Sequence, residues 1–232
     1  MDLVEAIKAR KSIRGFKPDP IPQSVLEELL DIGRWSPSGV NAQSWEFVVL
    51  TGEALEAVKQ ANVEQMDQKV EPHPDMGVPA LTGAYRERQV TLGREIFRLL
   101  GIGREDRDKR VDWTKTGLRF FDAPAAILVC ADKEAPDITD VFEAGLVTQT
   151  IALAALHFSL GTCIQRAAVN YPDVIRDIAG IPASKRVLVA LAIGYPDMDL
   201  PVNTLRSTRE EVGDITMWRS ALEKPVPPPP QP

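Results

Sequence analysis

Three cations and a hydroxyl fall within five residues at Arg10-Lys11-Ser12-Ile13-Arg14, and Arg206-Ser207-Thr208-Arg209 places a second basic pair with two hydroxyls far along the chain. Guanidinium forks bind phosphate through paired hydrogen bonds, so both clusters are candidate anion sites. Cations are also favoured where a helix ends, and Glu210 and Glu211 would neutralise the second cluster in a solvated ion-pair face. Spacing alone leaves anion binding and plain surface charge open. The stretch Ser36-Pro37-Ser38-Gly39-Val40-Asn41-Ala42-Gln43-Ser44, just before Trp45, is dense in hydroxyls and amides suited to reading a polar heterocycle edge, or to forming a turn. Gly161-Thr162-Cys163-Ile164-Gln165-Arg166-Ala167 reads as a loop between helical runs.

Several chemistries lack their residues. Gly101-Ile102-Gly103 has no third glycine and sits in a charged helical region, so it reads as a helix end instead of a dinucleotide fingerprint. No GxxxxGK[ST], HExxH or GxSxG occurs, which removes the main support for P-loop, zinc-protease and hydrolase readings. The only histidines, His73 and His157, have no cysteine spacing suited to zinc, and no metal site is expected. Cys130 and Cys163 are expected as free thiols.

Apolar spacing predicts short helices over residues 2–11 and 22–34, separated by Ile13–Ile21, whose Gly15, Pro18 and Pro20 break any helix. Trp45–Leu50, Ala125–Ala131 and Val187–Ile193 read as strands, the last two as buried central ones. Val141–Phe158 is apolar nearly all round and is expected to be a buried helix. Residues 62–122 are charged and read as an inserted helical excursion. Residues 197–232 form a C-terminal arm ending in a Pro-rich tail at 225–232. Helices cluster irregularly between few strands, so the class is α+β, one domain over 1–232.

The 232 residues, 44% hydrophobic and 26% charged, suit a single folded domain. A net charge of -6 argues against nucleic acid, which needs a dense basic surface. The N-terminus shows no secretory core and no segment approaches bilayer-spanning length, so a cytoplasmic protein without a membrane partner is expected.

Taken in order, "AIKARKSIRGFKPDPIP", "SPSGVNAQSWEFVVL", the "LGTC" after the apolar helix and the late "AIGYPD…NTLRSTREEV" resemble the FMN-dependent nitroreductase family over nearly the whole chain, less so between 62 and 122. The resemblance implies a nitroreductase-like fold, with a central mixed β-sheet surrounded by helices and an intertwined homodimer with FMN at the subunit interface. It implies that Arg10, Lys11, Ser12 and Arg14 meet the phosphate, ribityl chain and ring edge, with Arg209, helped by Arg206, completing the phosphate site. Pro37, Ser38, Gly39 and Asn41 come from the other subunit. Gln165, Arg166 and Ala167 present backbone groups near flavin N5. The chain departs from the family pattern at Ser44, where Pro usually precedes the Trp, and at Arg166, where many members have Gly.

The implied activity is ping-pong transfer of hydride from NAD(P)H through flavin N5 to an electron-poor small molecule such as a nitroaromatic or quinone, with no catalytic acid or base from the protein. A cation such as Arg14 would stabilise the negative charge of the reduced ring near N1 and O2. Residues 62–122 would lie over the open face, with Tyr85, Arg86, Arg88, Phe120 and Phe121 as candidate substrate contacts. Reductive dehalogenation or other flavin chemistry on the same scaffold, such as that of a flavin-consuming oxidase, and FMN binding without turnover, are the alternatives.

Overall fold

A computed structural model describes residues 2–77, 79–134 and 137–220. Four strands form one sheet in the order β1-β2-β4-β3: β1 (Glu46–Thr51), β2 (Ala125–Asp132), β3 (Gly161–Gln165) and β4 (Lys185–Gly194). Among the described residues all three strand pairings are antiparallel, and a parallel relation enters only at the isolated bridge between Ser12 and Thr162. The central pair β2 and β4 is almost wholly buried, as continuous apolar runs covered on both faces must be. The segment Gly161–Gln165, read from sequence as a loop, is instead edge strand β3. Its five residues are too few and too mixed to show a strand period.

Each face of the sheet carries a core. On one, Leu128, Ala190 and Ala192 pack with Leu55 and Val58 of α3 (Gly52–Asp67) and Ile175 of α7 (Pro172–Ala179). On the other, Ile127, Leu191 and Ile193 pack with Leu29 of α2 (Gln23–Gly33) and with Val147 and Ile151 of α6 (Asp137–Ala154), which continues as a 3-10 turn to Phe158. The stretch Asp140–Phe158 does have the length and composition to cross a bilayer, contrary to the sequence expectation. Here it packs on the sheet by one side only: Val141 and Phe142 are exposed, so it is not buried all round.

The remaining helices are α1 (Leu3–Ala9), α4 (Gly83–Leu99) and α5 (Arg107–Leu118). Helix α1 is capped by Asp2 and Glu5 in a reciprocal capping box, yet it buries none of its residues. Helix α4 runs to Leu100, after which Gly101 turns with φ +63°, so the Gly101-Ile102-Gly103 stretch is a helix end.

The excursion is anchored at both ends. Asn62 is buried and its amide donates to the carbonyls of Leu118 and Ala168 at 3.1 and 2.9 Å. Phe120 and Phe121, expected as substrate contacts, are enclosed in the core at 0% and 8% exposure. Their apolar area is better satisfied beneath α5 than in solvent. The backbone of Phe120, Phe121 and Asp122 has φ +57°, +54° and +56°, a left-handed turn that residues with side chains seldom adopt, and the burial of the two phenylalanines helps to hold it. The Pro-rich tail at 225–232, and the arm beyond residue 220, lie outside the described residues.

Candidate functional site

The first cationic cluster is shaped by the end of α1. Arg10 leaves helical geometry with ψ 130°, and the extended residues after it run along the sheet edge. There the N–H of Ile13 donates to the carbonyl of Thr162 at 2.9 Å, and Lys17 N–H donates to Tyr195 O at 2.8 Å. The approach to β3 is close, since a Cβ on Gly161 would lie 2.5 Å from Ile13 Cγ1. A glycine there lets the two segments meet.

The second cluster is brought to the first by Asn203. This residue is fully buried, at the end of the 3-10 turn Pro201–Thr204. Its amide donates to Gly15 O at 2.8 Å and Asp197 O at 2.7 Å, while its side-chain oxygen accepts the Arg14 N–H at 2.6 Å. Lys11 Nζ donates to the Asn203 carbonyl. Just beyond, Arg206 donates to the carbonyl of Lys8 at 2.9 Å, tying the late segment to α1. No short-range pattern marks Asn203, because all these partners except Asp197 are near residue 15 or earlier in the chain.

The result is a cleft of about 370 Å³. Lys8, Arg10, Lys11, Arg14, Arg206 and Arg209 line it, and no carboxylate does among the described residues. Ser12 and Ser207 add hydroxyls, and Ile7, Leu205 and Leu92 of α4 add apolar surface. The Lys11 ammonium is pushed below its ordinary pKa, first by burial and then by the charge of Arg206. An anion in the cleft would offset that repulsion. The donor set therefore fits a phosphorylated ligand with an apolar part, as FMN is.

The cleft does not gather every expected residue. Pro37, Ser38, Gly39 and Asn41 do not line it; they lie on an exposed loop over α6 on the other side of α2 in the chain order. Nor do Gln165, Arg166 and Ala167, although the Ser12–Thr162 bridge sets β3 beside the Arg10–Arg14 segment. Gln165 is buried and donates to Gly117 O at 2.9 Å, whereas Arg166 and Ala167 are exposed. In α4, Tyr85 is exposed with Arg88 over its ring at 5.6 Å, Arg86 donates to Gln89, and Arg88 pairs with Glu210 at 2.7 Å. That ion pair links α4 to the residues that follow Arg209.

Both thiols lie buried and unbridged. Burial raises both above the ordinary thiol pKa, Cys130 to about 12, which keeps them protonated and unreactive.

Residues 7–195 match the model of the Nitroreductase family. The chain belongs to the nitroreductase family. It is 30% identical to a 4-nitrobenzoate reductase of Pseudomonas putida over 216 residues, covering 93% of this chain and 94% of that protein. Its fold superposes with a TM-score of 0.90 on the FMN and NADPH-dependent nitroreductase NfnB of a Sphigopyxis strain, at 25% identity and covering 95% and 100% of the two chains. Similarity extends to an iodotyrosine deiodinase of Thermotoga neapolitana at 25% identity, covering 86% of this chain and 91% of that one. Among nitroreductases, then, the cationic cleft falls within and just after the matched region: Arg206 and Arg209 follow its last residue.

Proposed function

We propose that this nitroreductase is an FMN-dependent NAD(P)H oxidoreductase of nitroaromatic acceptors that works as a homodimer. The observation that carries the reading is the cleft in which six cations meet, with no carboxylate among the described residues that line it. Relatives of the same length and fold supply the rest: one reduces 4-nitrobenzoate and another depends on FMN and NADPH.

Arg10, Lys11, Arg206 and Arg209 hold the phosphate, with Ser12 donating beside it. Arg14, whose backbone is fixed by Asn203, presents its guanidinium toward the ring edge where negative charge develops on reduction. When bound, FMN supplies hydride transfer through N5, from NAD(P)H and then to the acceptor. Gln165, Arg166 and Ala167 border the reacting face, and no protein acid or base is needed for the transfer. Tyr85, Arg86 and Arg88 of α4 border the entrance for small-molecule substrates.

A second copy of the chain completes the site. Leu3, Val4 and Ile7 of α1 stay exposed in the single chain, as do Val212, Ile215, Met217 and Trp218 of the late segment. Apolar surface of that extent is stabilised by association. In the dimer, Pro37, Ser38, Gly39 and Asn41 of each subunit meet the flavin of the other.

The purified protein should be yellow, bleach on addition of NADH or NADPH, recover its colour with 4-nitrobenzoate, and elute as a dimer. A colourless protein that takes up no added FMN would overturn the reading; a yellow protein that no nicotinamide bleaches would leave a binder in place of an enzyme.

A further inference from the structure

Glu143 stands in α6 as a buried anion without a cation. It is 0% exposed, and among the described residues no lysine, arginine or histidine pairs with it. Its charge is satisfied by one loop only. Oε1 accepts the Gly39 N–H at 2.8 Å, and Oε2 accepts the Ser44 N–H at 3.3 Å and the Ser44 hydroxyl at 2.8 Å. Burial opposes ionisation, yet these three donations outweigh it and the carboxyl titrates below its usual range.

The loop between those donors is strained. Val40, Asn41 and Gln43 have φ of +47°, +61° and +52°, and all three are exposed. Exposed left-handed residues gain little from packing, so something else must hold them. Glu143 grips the loop at its entrance, Gly39, and at its exit, Ser44. A second anchor lies at the root of the loop, where Ser36 Oγ meets Thr150 Oγ1 of the same helix at 2.7 Å. Two of the three donations to Glu143 come from Ser44; a proline there would offer neither.

We propose that Glu143 is a positioning residue for the flavin: its carboxylate clamps Gly39 and Ser44 so that the strained loop is already shaped to meet the FMN of the partner subunit. This rests on the reading that residues 37–41 contact that flavin. Helix α6 thereby holds the cofactor loop through Glu143 and Thr150, beside Val147 and Ile151, which pack in the sheet core. The binding cost of ordering the loop is met during folding, which is what preorganisation means for affinity.

The test uses the full-length dimer, with hydrogen exchange of the peptide spanning residues 37–45 and the FMN dissociation constant read together. In the wild type, FMN should add protection to this peptide. If it adds none, the contact reading fails before Glu143 is tested. Glu143→Gln keeps the shape but replaces an acceptor with a donor facing an N–H. In its flavin-free form the loop should exchange faster than in the wild type, and FMN should bind about tenfold more weakly, as expected for loss of one hydrogen bond to a charged group. Loop exchange no faster than in the wild type, or fast loop exchange with unaltered FMN affinity, would overturn the proposal. Should Glu143→Gln not fold, Ser44→Ala removes the hydroxyl donor alone; it should weaken FMN binding about threefold, and unchanged affinity would again overturn the clamp.

Discussion

The side-chain oxygen of Asn203 accepts the backbone N–H of Arg14 at 2.6 Å across 189 positions of sequence. One buried carboxamide thus fixes where the arginine leaves the chain, while its two N–H groups fasten Gly15 and Asp197. Asn203→Ala should strand three backbone groups and lower stability by about 3 kcal/mol, at roughly 1 kcal/mol for each buried bond lost. Denaturant unfolding measures this directly. A loss below about 0.5 kcal/mol would mean that Asn203 merely fills space.

Arg209 lines the cleft and, among the described residues, is bonded only to its neighbours Ser207 and Thr208. A guanidinium so free is available for phosphate. Arg209→Ala should weaken FMN about tenfold, the scale of one charge-assisted hydrogen bond, and leave riboflavin binding unchanged. Equal losses for both ligands would place Arg209 elsewhere than at the phosphate.

For Arg14 the expected effect is on redox poise instead of affinity. Its cation favours the reduced, negatively charged ring, so Arg14→Ala should lower the midpoint potential of bound flavin. The shift should be on the order of 30 mV, equivalent to about 1.4 kcal/mol for two electrons. Spectroelectrochemical titration of the FMN-loaded variant gives the value, and an unshifted midpoint removes this role.

On the proposed reading, Lys11 should make flavin binding proton-linked. Because burial and Arg206 hold its pKa below 10.5, folding disfavours its charged form. That penalty is present below the lowered pKa and disappears as pH rises through it toward the unfolded value. A bound phosphate raises the pKa again, so FMN binding between the lowered pKa and 10.5 should take up protons. Calorimetry in buffers of different ionisation enthalpy would reveal the uptake, and Lys11→Met should abolish it.

Phe120→Ala should cost about 3–5 kcal/mol of stability, the usual penalty for emptying a fully buried aromatic site. The ranking of acceptors should be the same as in the parent. A reordered ranking with stability intact would restore Phe120 to the substrate pocket.

Much of the frame was legible because its residues advertise periodicity. Trp45–Leu50, Ala125–Ala131 and Val187–Ile193 lie within one or two residues of β1, β2 and β4, since buried strands need unbroken apolar runs. The edge strand β3 escaped notice: Gly161 is there for close approach to Ile13, a requirement set by a segment nearly 150 residues earlier. Phe120 and Phe121 misled for a related reason. A pair of aromatics in a charged region looks exposed until α5 is folded over them. In the site, the charged residues were visible as types, but Asn203 and Glu143 were not. Each acts through backbone groups of distant segments, and no local spacing records such partners.

Apart from Leu92, the cleft draws on two groups, residues 7–14 and 205–209, joined by Asn203 and by the bond from Arg206 to Lys8. During synthesis, every strand of the sheet leaves the ribosome before the second group does. On the proposed reading, in which both groups hold FMN, a nascent chain would build its core first and complete its phosphate site only after Arg209 is made. Flavin loading would then mark chains whose synthesis has passed Arg209.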